Sequence, residues 1–148
     1  MMIRDCMKKN VVAVPMTARV RDAVTLLVSR HIGLLPVLDN VKRPVGVVGL
    51  RDLINLALPS AFQLLDDIDF IGDFGALETY KPSEKILSDA ISTLMRPAVV
   101  VPEDSGLIRA YALMLQHDLH DIPVVDDVGR LSGIASRVDI GTQILSSW

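Results

Sequence analysis

One register shift organises this sequence. Moving the chain by 87 positions lays Pro36 on Pro123, Gly46 on Gly133, and Asp52 on Asp139. The same shift pairs Ala23 with Ala110, Leu26 with Leu113, Val37 with Val124, Asp39 with Asp126, and Arg43 with Arg130. No gap is needed between Val20 and Asp139, Pro15 falls on Pro102, and the copies slip by one residue only near Met7 and Met95. A self-similar chain of this kind is built from one repeated supersecondary unit, so a single unit must be read and then doubled.

Within each copy, VVAV (11–14) and VVV (99–101) are β-branched runs ended by proline and predict short strands. Val20, Ala23, Val24, Leu27 and Val28 recur at helical spacing, as do Leu107, Ala110, Leu113 and Met114. Thr17 and Ser105 are the expected N-caps of these helices. PVLDN-VKRP-VGVVG and PVVDD-VGR-LSGIA predict two strands joined by a tight polar connection, and LRDLINLAL and SRVDIGTQIL predict a closing helix. The fold class expected is α+β, with two β-α-β-β-α repeats packed about a pseudo-twofold axis. A unit of about 50 residues is marginal alone and leaves one sheet face half covered.

The domain boundaries expected are repeat 1 over 1–58, a partly helical linker over 59–85, and repeat 2 over 86–148. Ser60 and Gln63 form a capping-box pattern in the linker, and Phe62, Leu65, Ile68 and Phe70 need a partner surface, their own module or a dimer mate. The DDID cluster (66–69) has no partner motif and reads as a solvated helix face.

Composition narrows the class. Of 148 residues, 50% are hydrophobic and 22% charged, enough apolar material for a sizeable core. The net charge of −3 gives no basic footprint for nucleic acid, and 4% aromatics supply no base-stacking platform. No apolar run approaches the roughly 18 residues of a membrane span, and the N-terminus lacks the apolar core of a secretory signal. The one cysteine, Cys6, cannot form an internal disulfide and fits a reducing compartment, so a cytoplasmic location is expected. With three histidines and one cysteine, spacing suggests no nucleophile–base pair, and the chain is not expected to be an enzyme.

The heptapeptide GIASRVD (133–139) and its counterpart GVVGLRD (46–52) carry the functional question. Ser136 stands where a strand gives way to a helix, with Asp139 three residues on. A Ser-x-x-Asp capping box worth about 1 kcal/mol explains both residues without a ligand. The same helix start also presents free N–H groups to phosphate, and its carboxylate can accept two ribose hydroxyls. Arg137 could reach a phosphate. HDLHD (117–121) places two His and two Asp together, yet further metal ligands are not identifiable, so no metal site is expected.

The run A…HIGLLPVLD…GVVGLRDL, repeated as A…HDLHDIPVVDD-VGRLSGIASRVDI, resembles the cystathionine β-synthase (CBS) domain, and two copies in one chain resemble a Bateman module. The resemblance covers nearly the whole chain apart from the central segment. It implies a regulatory module that binds AMP, ADP, ATP or S-adenosylmethionine in clefts between the repeats and passes its state to a partner protein, as a homodimer. It implies no resident cofactor, and Mg²⁺ only alongside a polyphosphate. GIASRVD matches the family's ribose signature through Gly133, Ser136 and Asp139. GVVGLRD departs from it, since Gly49 replaces the hydroxyl residue, leaving Asp52 as the weaker second acceptor. By the same pattern Val101, Ile122 and Ile134 form the base slot, with Leu35 and His120 from the runs around each proline. Asp121 disfavours a triphosphate, which points to AMP or an adenosyl compound without phosphates. Two rival readings remain, a ligand-free interaction scaffold and a sensor of another small molecule or metal.

Overall fold

The computed structural model describes residues 1–57 and 81–148, so the expected linker cap at Ser60 and Gln63, its apolar residues and the DDID cluster lie outside the described residues. The first copy runs β1 (Val14–Pro15), α1 (Val20–Arg30), β2 (Leu34–Leu38), β3 (Pro44–Gly49) and α2 (Leu50–Ala57). A short helix α3 (Glu84–Ser88) and a strand β4 (Arg96–Pro97) precede the second copy. That copy runs β5 (Val101–Pro102), α4 (Leu107–Gln116), β6 (Asp121–Val125), β7 (Leu131–Ser136) and α5 (Arg137–Leu145). The two β-α-β-β-α repeats pack about a pseudo-twofold axis, and the fold is α+β.

The backbone repeats as faithfully as the sequence. β1 pairs parallel to β2 through Val14↔Val37, and β5 to β6 through Val101↔Val124. β2–β3 and β6–β7 are antiparallel hairpins, each irregular at one place, between Val37 and Leu38 and between Val124 and Val125. Each hairpin is tied by one aspartate. Asp39 Oδ1 accepts the backbone N–H groups of Val41 and Arg43 and its Oδ2 holds Arg43 Nε at 3.1 Å, while Asp126 does the same with Val128 and Arg130. Such Asx contacts replace backbone bonds at a tight connection.

The opening strands are shorter than expected. They pair only at Val14–Pro15 and Val101–Pro102, so each proline lies inside its strand rather than after it. β1 and β5 are edge strands, where a missing N–H costs no ladder bond. Pro36 and Pro123 are tolerated within β2 and β6 because the edge strands begin pairing one residue later.

Neither expected N-cap is one. α1 is capped by Arg19, whose N–H donates to Asp22 Oδ2 at 2.9 Å, and α4 by Gly106. Tertiary pairing displaces both helix starts. Ile3 N–H donates to Ser105 O and Ile91 N–H to Ala18 O, which hold the residues before each helix extended. Ser105 is buried instead, and its hydroxyl has no partner among the described residues.

These contacts belong to an exchange of leaders. Ile3, from the start of the chain, is fully buried among Leu107, Met114, Ile122 and Ile140 of the second copy. Ile91, from the leader of the second copy, is fully buried among Val20, Leu27, Leu35 and Val48 of the first. β4 adds to the first sheet through Gly46↔Pro97 and Val47↔Arg96, and Lys8 bridges to Ile134 in the second. Each sequence copy therefore completes its core with a segment that precedes the other.

Candidate ligand cleft

At GIASRVD the capping box is formed. Ser136 is extended (φ −91°, ψ 164°), its Oγ accepts the Asp139 N–H at 3.0 Å, and Asp139 Oδ2 accepts the Ser136 N–H at 2.9 Å and its hydroxyl at 2.8 Å. Lys8 Nζ stands 3.5 Å from the same Oδ2. Burial pushes the Asp139 carboxyl up, but the Ser136 hydrogen bonds and the Lys8 charge outweigh it and hold the group below the ordinary carboxylate range. All of these contacts fall on Oδ2, and Oδ1 carries none of them.

At GVVGLRD the same box is made without a hydroxyl. Gly49 N–H donates to Asp52 Oδ2 at 2.8 Å, and Arg96 Nε donates to Asp52 Oδ1 at 2.8 Å. Both carboxylate oxygens are engaged, and the side chain is 9% exposed against 21% for Asp139. A Cβ at Gly49 would stand 3.1 Å from Gly33 O, a tight approach. Lys8 and Arg96 thus play matching parts, each a leader cation holding the aspartate of the opposite copy.

A cavity of about 820 Å³ opens between the repeats on the GVVGLRD side. That is ample for a nucleoside-sized molecule. The first repeat gives Gly33, Leu34, Val47, Gly49 and Arg51, the second leader gives Arg96, Pro97 and Val99, and His117–Asp121 with Pro123 close the far wall. Its apolar part suits a base, and its polar part (Arg51, Arg96, His117, Asp118, His120, Asp121) suits a sugar and its substituents.

Of the residues expected from sequence, His120 lies on this wall and Asp52 lies just behind Arg96. Ser136 and Asp139 do not line it. Leu35, Val101 and Ile122 are buried in the two cores, facing the helices. Strand alternation is the reason: where Leu35 and Ile122 face inward, their neighbours Leu34, Asp121 and Pro123 face the cavity. Ile134 is half-buried beneath the leader, exchanging both backbone hydrogen bonds with Lys8.

Arg137 does not line the cavity and stands behind its Asp118–Leu119 wall. Its Nε donates to Leu119 O at 2.5 Å, in the loop after α4, and its Nη2 to Met114 O at 3.4 Å, in the last turn of that helix. Its Nη2 also stands 3.5 Å from Asp118 Oδ1, while Arg51 of the first repeat reaches Asp118 Oδ2 at 3.9 Å. Asp118, at φ 52°, thereby links the two repeats at the cavity wall. Among the described residues no group of three or more His, Cys, Asp or Glu is arranged to hold a metal ion. Sequence reasoning missed Lys8, Arg96 and Asp118. The signal for the first two was present, because Met7-Lys8 and Met95-Arg96 are the same dipeptide type at the one-residue slip.

Fold and cleft together define a tandem-repeat module with a ligand-sized space between its halves. The chain belongs to the CBS domain family, whose model matches residues 3–58 and 88–145. It is 32% identical over 138 residues to the chloroplastic CBS domain-containing protein CBSX2 of Arabidopsis thaliana, covering 90% of this chain and 58% of that protein. The chain thus spans a little over half the length of this curated relative. A crystal structure of CBSX2 in complex with AMP superposes with a TM-score of 0.72 at 29% identity, covering 99% of this chain and 97% of that one. The CBS domain pair of protein MJ0100, in complex with 5′-methylthioadenosine and S-adenosyl-L-methionine, gives a TM-score of 0.70 at 18% identity over all of this chain and 98% of that one, a likeness of fold. No helix among the described residues is long and apolar enough to cross a membrane.

Proposed function

We propose that this chain is a non-catalytic regulatory module that takes an adenosine-containing ligand between its repeats and passes the resulting arrangement to a partner protein. The observation that carries this reading is the cavity, because its walls come from both repeats and from the helix start of GVVGLRD. A ligand held there contacts both halves at once. It favours whichever relative arrangement binds it better, and that preference is the signal. The AMP complex of CBSX2 supports the ligand class. A second position at GIASRVD is supported by the Oδ1 of Asp139, which is left for a ribose hydroxyl while Oδ2 is engaged.

The module works in the cytoplasm as a homodimer, without a resident cofactor, and Mg²⁺ enters only with a polyphosphate. The exposed apolar side chains Val28 and Ile54, beside a groove between α1 and α2, support self-association. Thermal unfolding against adenosine, AMP, ADP, ATP and S-adenosylmethionine tests the reading. A ligand at about 100 times its Kd adds roughly 2.7 kcal/mol of stability. The gain should shrink in Leu34→Trp, which fills the cavity. No shift with any compound at millimolar concentration would leave an interaction scaffold as the better account.

A further inference from the structure

We infer that Asp121 makes the inter-repeat cavity select ligands whose 5′ group carries no negative charge. This rests on the adenosine-ligand reading and names the ligand class within it. Two arginines line the cavity, and each already has a carboxylate: Arg96 is bonded to Asp52 at 2.8 Å and Arg51 stands 3.9 Å from Asp118. Asp118 is in turn shared with Arg137. Asp121 also lines the cavity, and among the described residues it has neither a hydrogen bond nor an ion pair to its side chain. It is the cavity-lining carboxylate that no arginine holds.

The placement of the remaining groups sets what that unheld carboxylate would face. Leu34, Val47, Pro97 and Val99 form the apolar wall that a base would take, and Gly49 opens the helix start where a sugar would sit. The polar wall left to receive a 5′ substituent is His117–Asp121 with Arg51. A phosphate there meets Asp121, or must draw an arginine away from its partner. A neutral or cationic group, such as a sulfonium, meets a complementary charge. The environment acts in the same sense. Burial raises the Asp121 carboxyl above its ordinary range and Asp139 adds to the rise, against Lys8 and His120. A further anion alongside would be resisted. The first copy carries Leu34 at the position equivalent to Asp121, so the acid is a feature of one copy and not of the strand.

Calorimetric titration of wild type, Asp121→Asn and Asp121→Leu with adenosine, AMP and S-adenosylmethionine at neutral pH tests this. Asp121→Leu installs the residue that the equivalent strand already accommodates, which guards against a folding failure in either variant alone. Wild type should bind adenosine and S-adenosylmethionine more tightly than AMP. Both variants should gain about tenfold in AMP affinity relative to adenosine, equivalent to about 1.4 kcal/mol, and lose their preference for S-adenosylmethionine. An unchanged AMP-to-adenosine ratio in both variants, with adenosine still bound, overturns the role of Asp121 and leaves the ligand reading standing. Failure of wild type to bind all three compounds removes the ligand reading itself, and the inference with it.

Discussion

Arg96 Nε donates to Asp52 Oδ1 at 2.8 Å, joining the leader of the second copy to a helix start in the first. The matching contact, Lys8 to Asp139, is longer at 3.5 Å and its lysine is largely exposed. The two pairs occupy equivalent places but should not be equally strong. Arg96→Met should cost about 1.5–3 kcal/mol, since it strands a nearly buried carboxylate. Lys8→Met should cost less than about 1 kcal/mol. Urea unfolding of both variants decides it, and equal costs would show that burial of Asp52 does not matter.

Ile3 and Ile91 fill the cores of the copies they do not belong to. Truncating a buried isoleucine typically costs about 2–5 kcal/mol. Ile3→Ala should fall in that range despite lying third in the chain, and Ile91→Ala should match it. A loss below about 1 kcal/mol for Ile3→Ala, of the size usual for a surface site, would show that the leader does not hold the second core.

Gly133 and Gly46 lie directly under the leaders. A Cβ on Gly133 would stand 2.5 Å from Met7 Sδ and 3.1 Å from Lys8 O, and one on Gly46 would stand 2.5 Å from Met95 Sδ and 3.0 Å from Arg96 O. The methionine can yield, but the backbone oxygen is fixed by pairing. Gly133→Ala should therefore destabilise by about 1–3 kcal/mol and speed hydrogen exchange at the Lys8 and Ile134 amides, which hydrogen-bond to each other's carbonyls. Exchange that stays slow at both amides would argue that the leader accommodates the methyl group.

The carboxylates divide by sign. Asp139 is held below its ordinary value near 3.8, so its contribution to stability is present above that value and is lost as pH falls through the lower, folded one. Asp39 and Asp126, held low by their hairpin contacts, act in the same direction. Asp121 is raised, so its contribution is present at acid pH and is lost as pH rises through its folded value. Asp139→Asn should flatten the acid limb of a stability–pH curve. Asp121→Asn should gain on wild type as pH rises above the ordinary carboxylate range. Guanidinium unfolding from acid to neutral pH checks both, and parallel curves for the two variants would refute the division.

The repeat, its helices and the Ser136–Asp139 cap were legible because each is a local pattern: an 87-residue register, a helical period, a capping spacing. The N-caps were misjudged at Thr17 and Ser105 for a nonlocal reason. Chain from the opposite copy bonds to the Ala18 and Ser105 carbonyls, just before the extended caps Arg19 and Gly106, and no local propensity encodes that pairing. The site residues divided along the same line. Asp52 and His120 were found near the cavity, but Leu35 and Ile122 were assigned to it one position out of phase with the sheet's alternation. Arg137 resembled a phosphate ligand from its place after the cap. Its guanidinium is held by the carbonyls of Met114, in the last turn of α4, and of Leu119, in the loop after it, and only the packing of that helix and loop reveals them.

Exchanged leaders give the chain the character of a clasp. With Ile3 in one core and Ile91 in the other, neither half can loosen without withdrawing a side chain from its neighbour. Melting is thereby coupled between the two copies, and a strain applied at one helix start is felt in the opposite sheet through the exchanged leaders. A repeat excised by itself would carry an unfilled core and an orphaned leader at once, so the smallest autonomous piece of this protein is the pair.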